Sequence, residues 1–115
     1  MAKVTRGDAI KAATTALGNL QDDELVASGV RTSLDWLATA HPGRAVEVRV
    51  PPYRAVQILG GTTHRRGTPP AVVEMSPETW LMLFTKKLSW ADAVASGKII
   101  ASGERSDLSE ILSEI

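Results

Sequence analysis

The chain contains no cysteine, which excludes disulfides, thiolate zinc sites, iron–sulfur clusters and a cysteine nucleophile, and fits a reducing compartment. Charge of one sign is missing too: thirteen Lys and Arg offset thirteen Asp and Glu over 115 residues. With no net field to hold a phosphate backbone, nucleic-acid binding is not expected. Long hydrophobic runs are also absent. The longest uninterrupted one is Trp80 to Phe84, far short of the roughly 20 residues that span a bilayer. The opening stretch Met1-Ala2-Lys3-Val4-Thr5-Arg6-Gly7-Asp8 carries charges but no apolar core of the length a secretory signal needs. A cytoplasmic protein with no membrane span is therefore expected. Val-Ala-Ser-Gly at 26–29 and 94–97 and Ile-Ala-Ser-Gly at 100–103 have unequal separations and unlike contexts, so they form no internal repeat.

What is present suffices for one domain, residues 1–115, since 43% hydrophobic composition fills a core of this size without covalent staples. Residues 1–44 read as helical. Thr5 and Asp8 have capping-box spacing, Ile10, Ala13 and Leu17 recur at helical intervals, and Gly18 suits the stop. Asp22, Asp23 and Glu24 favour the start of a second helix, whose stripe of Val26, Val30, Leu34 and Leu37, widened by Trp36, ends at His41-Pro42-Gly43. Gly29 inside it costs about 1 kcal/mol against Ala, so either its backbone approaches something closely or the helix is locally irregular.

The period then changes from helical to two. Val46, Val48 and Val50 alternate with Glu47 and Arg49, as in a half-buried strand, until Pro51-Pro52 stops it. Tyr53 to Leu59 and Ala71 to Met75 read as further strands, with Gly60 to Pro70 a long connection. Ser76-Pro77 opens a helix running to about Lys86, and Ser89 with Asp92 opens another that stops at Gly97. A fourth strand, Lys98 to Ser102, precedes a closing helix with Ser106 as N-cap and Leu108, Ile111, Leu112 and Ile115 on one stripe. The expected architecture is α+β: a small, mostly antiparallel sheet with helices on one face.

Few residues suggest catalysis. His41 and His64 have no second ligand at metal-binding spacing, so no metal site is assigned. His41 reads as a charge at a helix C-terminus. Asp22-Asp23-Glu24 lacks the alternating oxygens of a calcium loop, Gly60-Gly61 lacks the lysine and helix of a P-loop, and no G-x-S-x-G elbow occurs. No catalytic residue and no cofactor follow. His64-Arg65-Arg66 is the densest polar cluster, either a grip for a carboxylate or phosphate or a solvated loop paired to surface acids. Trp80, Leu81, Leu83 and Phe84 need cover on more than one helix face, either from a ligand or from helices carrying Trp90, Val94, Leu108 and Ile111.

The run Ser76-Pro77-Glu78-Thr79-Trp80-Leu81, then Lys87-Leu88-Ser89-Trp90-Ala91-Asp92-Ala93, Gly97-Lys98-Ile99-Ile100-Ala101-Ser102-Gly103 and Asp107-Leu108 resembles the sterol-carrier-protein-2 family, most closely its short bacterial orthologues. Val48-Arg49-Val50-Pro51-Pro52-Tyr53 and His64-Arg65-Arg66-Gly67-Thr68-Pro69-Pro70 look like the actinobacterial pattern. The resemblance covers residues 45–115. It implies a sheet covered by helices with an apolar tunnel between them that takes fatty acids, fatty-acyl groups or other lipids. On that reading Val56, Ile58, Trp80, Leu83, Phe84, Trp90, Val94, Ile99, Leu108, Ile111 and Leu112 line the tunnel, and His64, Arg65 and Arg66 hold the head group. A larger side chain at Ala91 or Val94 would fill it. Family members often have Gly after the first helix of this run, whereas Lys86-Lys87 stands here, so a differently built turn is expected. The alternative is an interaction module, or an accessory subunit completing a site on a partner such as a mycothiol-dependent isomerase-like helical metal-binding protein. Its partner would be a protein or, through weak self-association, a second copy.

Overall fold

The computed structural model describes residues 3–60, 70–103 and 106–115. Helix α1, Arg6–Leu17, starts at Thr5, whose hydroxyl accepts from the Asp8 amide while the Asp8 carboxylate accepts from the Thr5 amide, as the spacing predicts. Helix α2, Asp23–Ala40, is capped by the Asp22 carboxylate, which accepts from the Glu24 and Leu25 amides. The two pack through small side chains. Ala9, Ala13 and Ala16 on α1 are fully buried, and a Cβ added at Gly29 of α2 would lie 2.5 Å from Ala16 Cβ and 2.9 Å from the Ala12 carbonyl oxygen. Of the two readings open for Gly29, close approach is the correct one.

Strand β1, Pro42–Val50, begins earlier than its alternation suggests. The added residues pass over Gly60, where a Cβ on Gly43 would sit 1.8 Å from the Gly60 amide nitrogen. Strands β2, Arg54–Ile58, β3, Ala71–Met75, and β4, Ile99–Ser102, complete a sheet of order β2-β1-β3-β4. The pairs β1–β2 and β3–β4 are antiparallel, as expected, but β1 and β3 are parallel, with Val46 opposite Ala71 and Val48 opposite Val73. The expectation that the first three strands are mostly antiparallel fails for that pair. The chain leaves β2 on one side of β1 and re-enters on the other, so the sheet is mixed.

The register gives the sheet two unlike faces. Val46, Val48, Val50, Ile58, Ala71, Val73 and Met75 are buried on the helix side. On the other side Glu47 pairs with Arg49 and accepts weakly from Gln57 at 3.5 Å, and Ile100 on the edge strand β4 is 69% exposed. Helix α3, Pro77–Phe84, is capped by Ser76, whose hydroxyl accepts from the Thr79 amide. Four of its apolar residues, Trp80, Leu81, Leu83 and Phe84, are buried, which meets the need for cover on several faces. The Trp80 indole N–H donates to Ser33 Oγ at 2.8 Å, and that hydroxyl donates to the Gly29 carbonyl at 2.7 Å. This chain ties α3 to α2 inside the core.

Helices α4, Trp90–Ala95, and α5, Ser109–Ser113, are short. Ser89 caps α4 as its spacing predicts. The closing helix starts later than expected, with Leu108 rather than Ser106 at its N-cap, because Leu108 is buried and the Asp107 carboxylate accepts from the Ser109 amide at 2.8 Å. Helices α3 and α4 end in the same way. At α4 the Gly97 amide donates to Val94 and the Lys98 amide to Ala93, with Gly97 at φ +72°. At α3 the Lys86 amide donates to Leu83 and the Lys87 amide to Met82, with Lys86 at φ +63°. Both are Schellman closures, and the left-handed position that glycine takes at Gly97 is taken by lysine at Lys86. That substitution carries a steric cost of about 1–2 kcal/mol. The turn after α3 is thus the ordinary one, built on an unusual residue.

Candidate functional site

The described residues show no tunnel between sheet and helices. That interface is one continuous hydrophobic cluster in which Trp80, Phe84, Leu34, Leu37, Val48 and Val73 are fully buried. Phe84 meets Trp80 at 5.5 Å between ring centroids and Trp36 at 5.9 Å, edge on. Among the described residues no buried side-chain nitrogen or oxygen lacks a hydrogen-bond partner.

Concavity appears instead where α3 ends and α4 and α5 meet. An open groove of about 400 Å³ is lined by Leu83, Lys86, Leu88, Ser89, Trp90, Ala91, Ser109, Leu112 and Ser113. The volume lies within the range of small-molecule sites, about 300–1,000 Å³. Three local features place these side chains. The buried stripe of α3 points Leu83 into the floor, the Schellman closure turns the chain so that Leu88 and Trp90 form one wall, and burial of Ile111 and Leu112 sets α5 as the other. The walls are apolar and the rim is polar. Lys86 Nζ donates to the Ser113 carbonyl oxygen at 3.3 Å, crossing the groove from the end of α3 to the end of α5. Among the described residues no carboxylate belongs to the lining. Just before α5, hydrogen bonds from the Ser109 hydroxyl and amide hold the Asp107 carboxyl below the ordinary carboxylate pKa.

Of the residues expected around a ligand, Leu83, Trp90 and Leu112 line this groove, as does Ala91. Trp80, Phe84, Leu108, Ile111 and Ile58 lie behind it in the core cluster. Val56 and Ile99 are partly buried on strands β2 and β4, away from the groove. Val94, by contrast, is 50% exposed on α4 and lies outside the lining. His64, Arg65 and Arg66 lie outside the described residues. Sequence reasoning missed Lys86, Leu88, Ser89, Ser109 and Ser113. The signal for Lys86 was available, since lysine stood where glycine was expected.

No group of three or more His, Asp or Glu side chains among the described residues is placed to hold a metal ion. His41 is the C-cap of α2, its amide donating to the Leu37 carbonyl and its ring edge-on to Trp36 at 6.4 Å between centroids. Other open concavities lie at the α1–α2 turn, about 840 Å³ between Leu17 and Glu24, and along α2, about 430 Å³ around Ala27 and Arg31, both with acidic residues in their lining; a further one of about 300 Å³ lies at the β1–β2 turn, lined by Arg49, Pro51, Pro52, Tyr53, Arg54, Ala55 and Glu74. Its two guanidinium groups are already paired, Arg49 with Glu47 and Arg54 with Asp35. No helix among the described residues is long and apolar enough to cross a membrane.

A family model described as "Bacterial SCP ortholog" aligns with residues 22–113, four fifths of the chain. No curated protein matches.

Proposed function

The chain belongs to the family of bacterial SCP orthologs, and from that premise we propose that it is a binding or carrier domain for an apolar ligand, a fatty acid, fatty-acyl group or other lipid. The observation that carries this reading is the groove at the junction of α3, α4 and α5, with apolar walls of Leu83, Leu88, Trp90, Ala91 and Leu112 and a polar rim. Transfer of an alkyl tail from water onto such walls contributes up to about 0.8 kcal/mol for each methylene that is fully buried. A tail of a dozen carbons, half covered, therefore supplies about 5 kcal/mol, a submillimolar Kd at best before the costs of association. The resident side chains bind and exclude water; no bond-making step is assigned to them.

The test is native mass spectrometry of the freshly purified protein, with lipid extraction of the same sample. A one-to-one adduct in the lipid mass range, lost on denaturation and absent from Ala91→Trp, is the expected result. An unliganded mass that stays unchanged after incubation with fatty acids would overturn the reading.

A second reading, an interaction module, is favoured by the sheet face that the described helices leave open, with Ile100 69% exposed at its edge. It requires a mass that rises with concentration, or a stable complex with a partner such as a helical metal-binding protein, where the carrier reading requires neither.

A further inference from the structure

Lys86 occupies a backbone position that works against its own side chain. Every residue in a left-handed conformation other than glycine meets its Cβ against the neighbouring carbonyl, and the same closure at the end of α4 uses Gly97. A strained residue that persists is a pointer to what its side chain does. Here the side chain lines the groove and reaches Ser113 at the far rim.

We propose that Lys86 is a charged latch: its ammonium holds α5 closed against the groove through the Ser113 carbonyl, and is surrendered to the anionic head of an amphiphile entering between α3 and α5. This rests on the groove being the ligand site and deepens that reading by naming the head group's charge.

Three observations support it. First, α5 has five residues and no side-chain cap at Leu108, so it depends on the burial of Ile111 and Leu112 and on ties such as this one. Second, the ammonium lies at the C-terminal ends of α3 and α5, where the helix dipoles place negative partial charge. Without a cation there, an anion would be repelled; with Lys86 the same place becomes favourable. Third, neither ion pair found among the described residues involves Lys86, and its partner is a neutral carbonyl. A carboxylate or phosphate oxygen adds to the hydrogen bond the attraction of a full opposite charge, which the neutral Ser113 carbonyl lacks, so an incoming anion wins the exchange.

The experiment compares decanoate with 1-decanol, equal in chain length, by calorimetric titration at pH 8, with inorganic phosphate as the anion that lacks a tail. The wild-type protein is expected to bind decanoate about threefold more tightly than decanol, the middle of the range for an exposed charge pair. Phosphate alone is expected not to bind. Lys86→Met, which keeps the apolar stem, should lose or invert that preference and retain decanol, whereas Lys86→Arg should keep it. Hydrogen exchange at the α5 amides should quicken in unliganded Lys86→Met and not in Lys86→Arg. Lys86→Gly removes the backbone strain as well as the charge, so it should unfold at higher temperature than Lys86→Met yet show the same lost preference. If Lys86→Met fails to fold, Lys86→Gly carries the comparison. Binding of neither amphiphile to the wild type overturns the groove reading and the latch together. Equal binding of both, a preference that survives Lys86→Met and Lys86→Gly, or phosphate binding alone overturns the latch and leaves the groove.

Discussion

Replacing Gly29 by Ala puts the α1–α2 contact to a direct test, because two opposing effects have different signs. In an exposed helix interior the change stabilises by about 1 kcal/mol, since glycine has the larger backbone entropy to lose. At this position the new Cβ would stand 2.5 Å from Ala16 Cβ and 2.9 Å from the Ala12 carbonyl oxygen, whereas carbon pairs rest at about 3.5–4.0 Å. The helices must separate by roughly 1 Å to accept it. One of the obstructing atoms is backbone, so a rotamer change cannot relieve the contact. Separation also loosens Ala9 and Ala13, which are fully buried in the same seam. Overpacking of this kind costs about 1–3 kcal/mol, so the net expectation is destabilisation of about 1 kcal/mol, or a fall of about 4 °C in Tm. Urea unfolding followed by tryptophan fluorescence measures it. Adding Ala16→Gly removes one of the two clashes and should recover part of the loss, giving a favourable coupling of about 0.5–1 kcal/mol in the double-mutant cycle. A Gly29→Ala variant more stable than the parent would refute the close approach of α1 and α2.

Two further outcomes follow from the interior and from the first helix. Ser33→Ala leaves the buried Trp80 indole N–H without its acceptor and should cost about 1–3 kcal/mol; paired with Trp80→Phe the losses should be less than additive, as denaturant titration of the four proteins will show. The Asp8 carboxyl is held below its ordinary pKa chiefly by the Thr5 amide and then by the Thr5 hydroxyl. A depressed folded-state pKa gives a contribution that is present above the unfolded value and lost as pH falls through the folded one. The Thr5 amide resonance should therefore shift with a midpoint below the ordinary Asp value in an NMR titration. The shift should disappear in Asp8→Asn, and a midpoint at or above the ordinary value would contradict the capping box.

Much of the fold was legible because the signals are local. Thr5 with Asp8, Ser76 before Pro77, Ser89 three residues before Asp92, and Gly97 each act within one helical turn, and each lies where its spacing places it. The alternation of Val46, Val48 and Val50 likewise reports one face of one strand. Partner choice is another matter. Nothing in residues 60–70 says on which side of β1 the chain returns, so the parallel β1–β3 pair was not foreseeable from turn chemistry. The Ser33–Trp80 bond joins residues 47 apart in the chain, and no periodicity encodes it. The groove is harder still, because it depends on which apolar residues fail to close on one another. Leu83 and Leu112 read the same in sequence as Phe84 and Ile111, yet only the first pair borders open space. Val94 shows the converse: the family resemblance set it in the tunnel lining, but on the short helix α4 it is half exposed to water.

The seam between α1 and α2 also bears on where this protein can be divided. The stretch recognisable by family comparison opens at residue 22, after α1 has ended. Yet Ala9, Ala13 and Ala16 belong to the same continuous core as Trp80 and Val48. Cutting at the family boundary would bare the glycine face of α2 to water and leave the Trp80–Ser33–Gly29 chain of hydrogen bonds beneath an open surface. The unit that is inherited recognisably and the unit that excludes water are thus different lengths of one chain, and a transplant of the α3–α4–α5 groove onto another scaffold would have to carry the longer one.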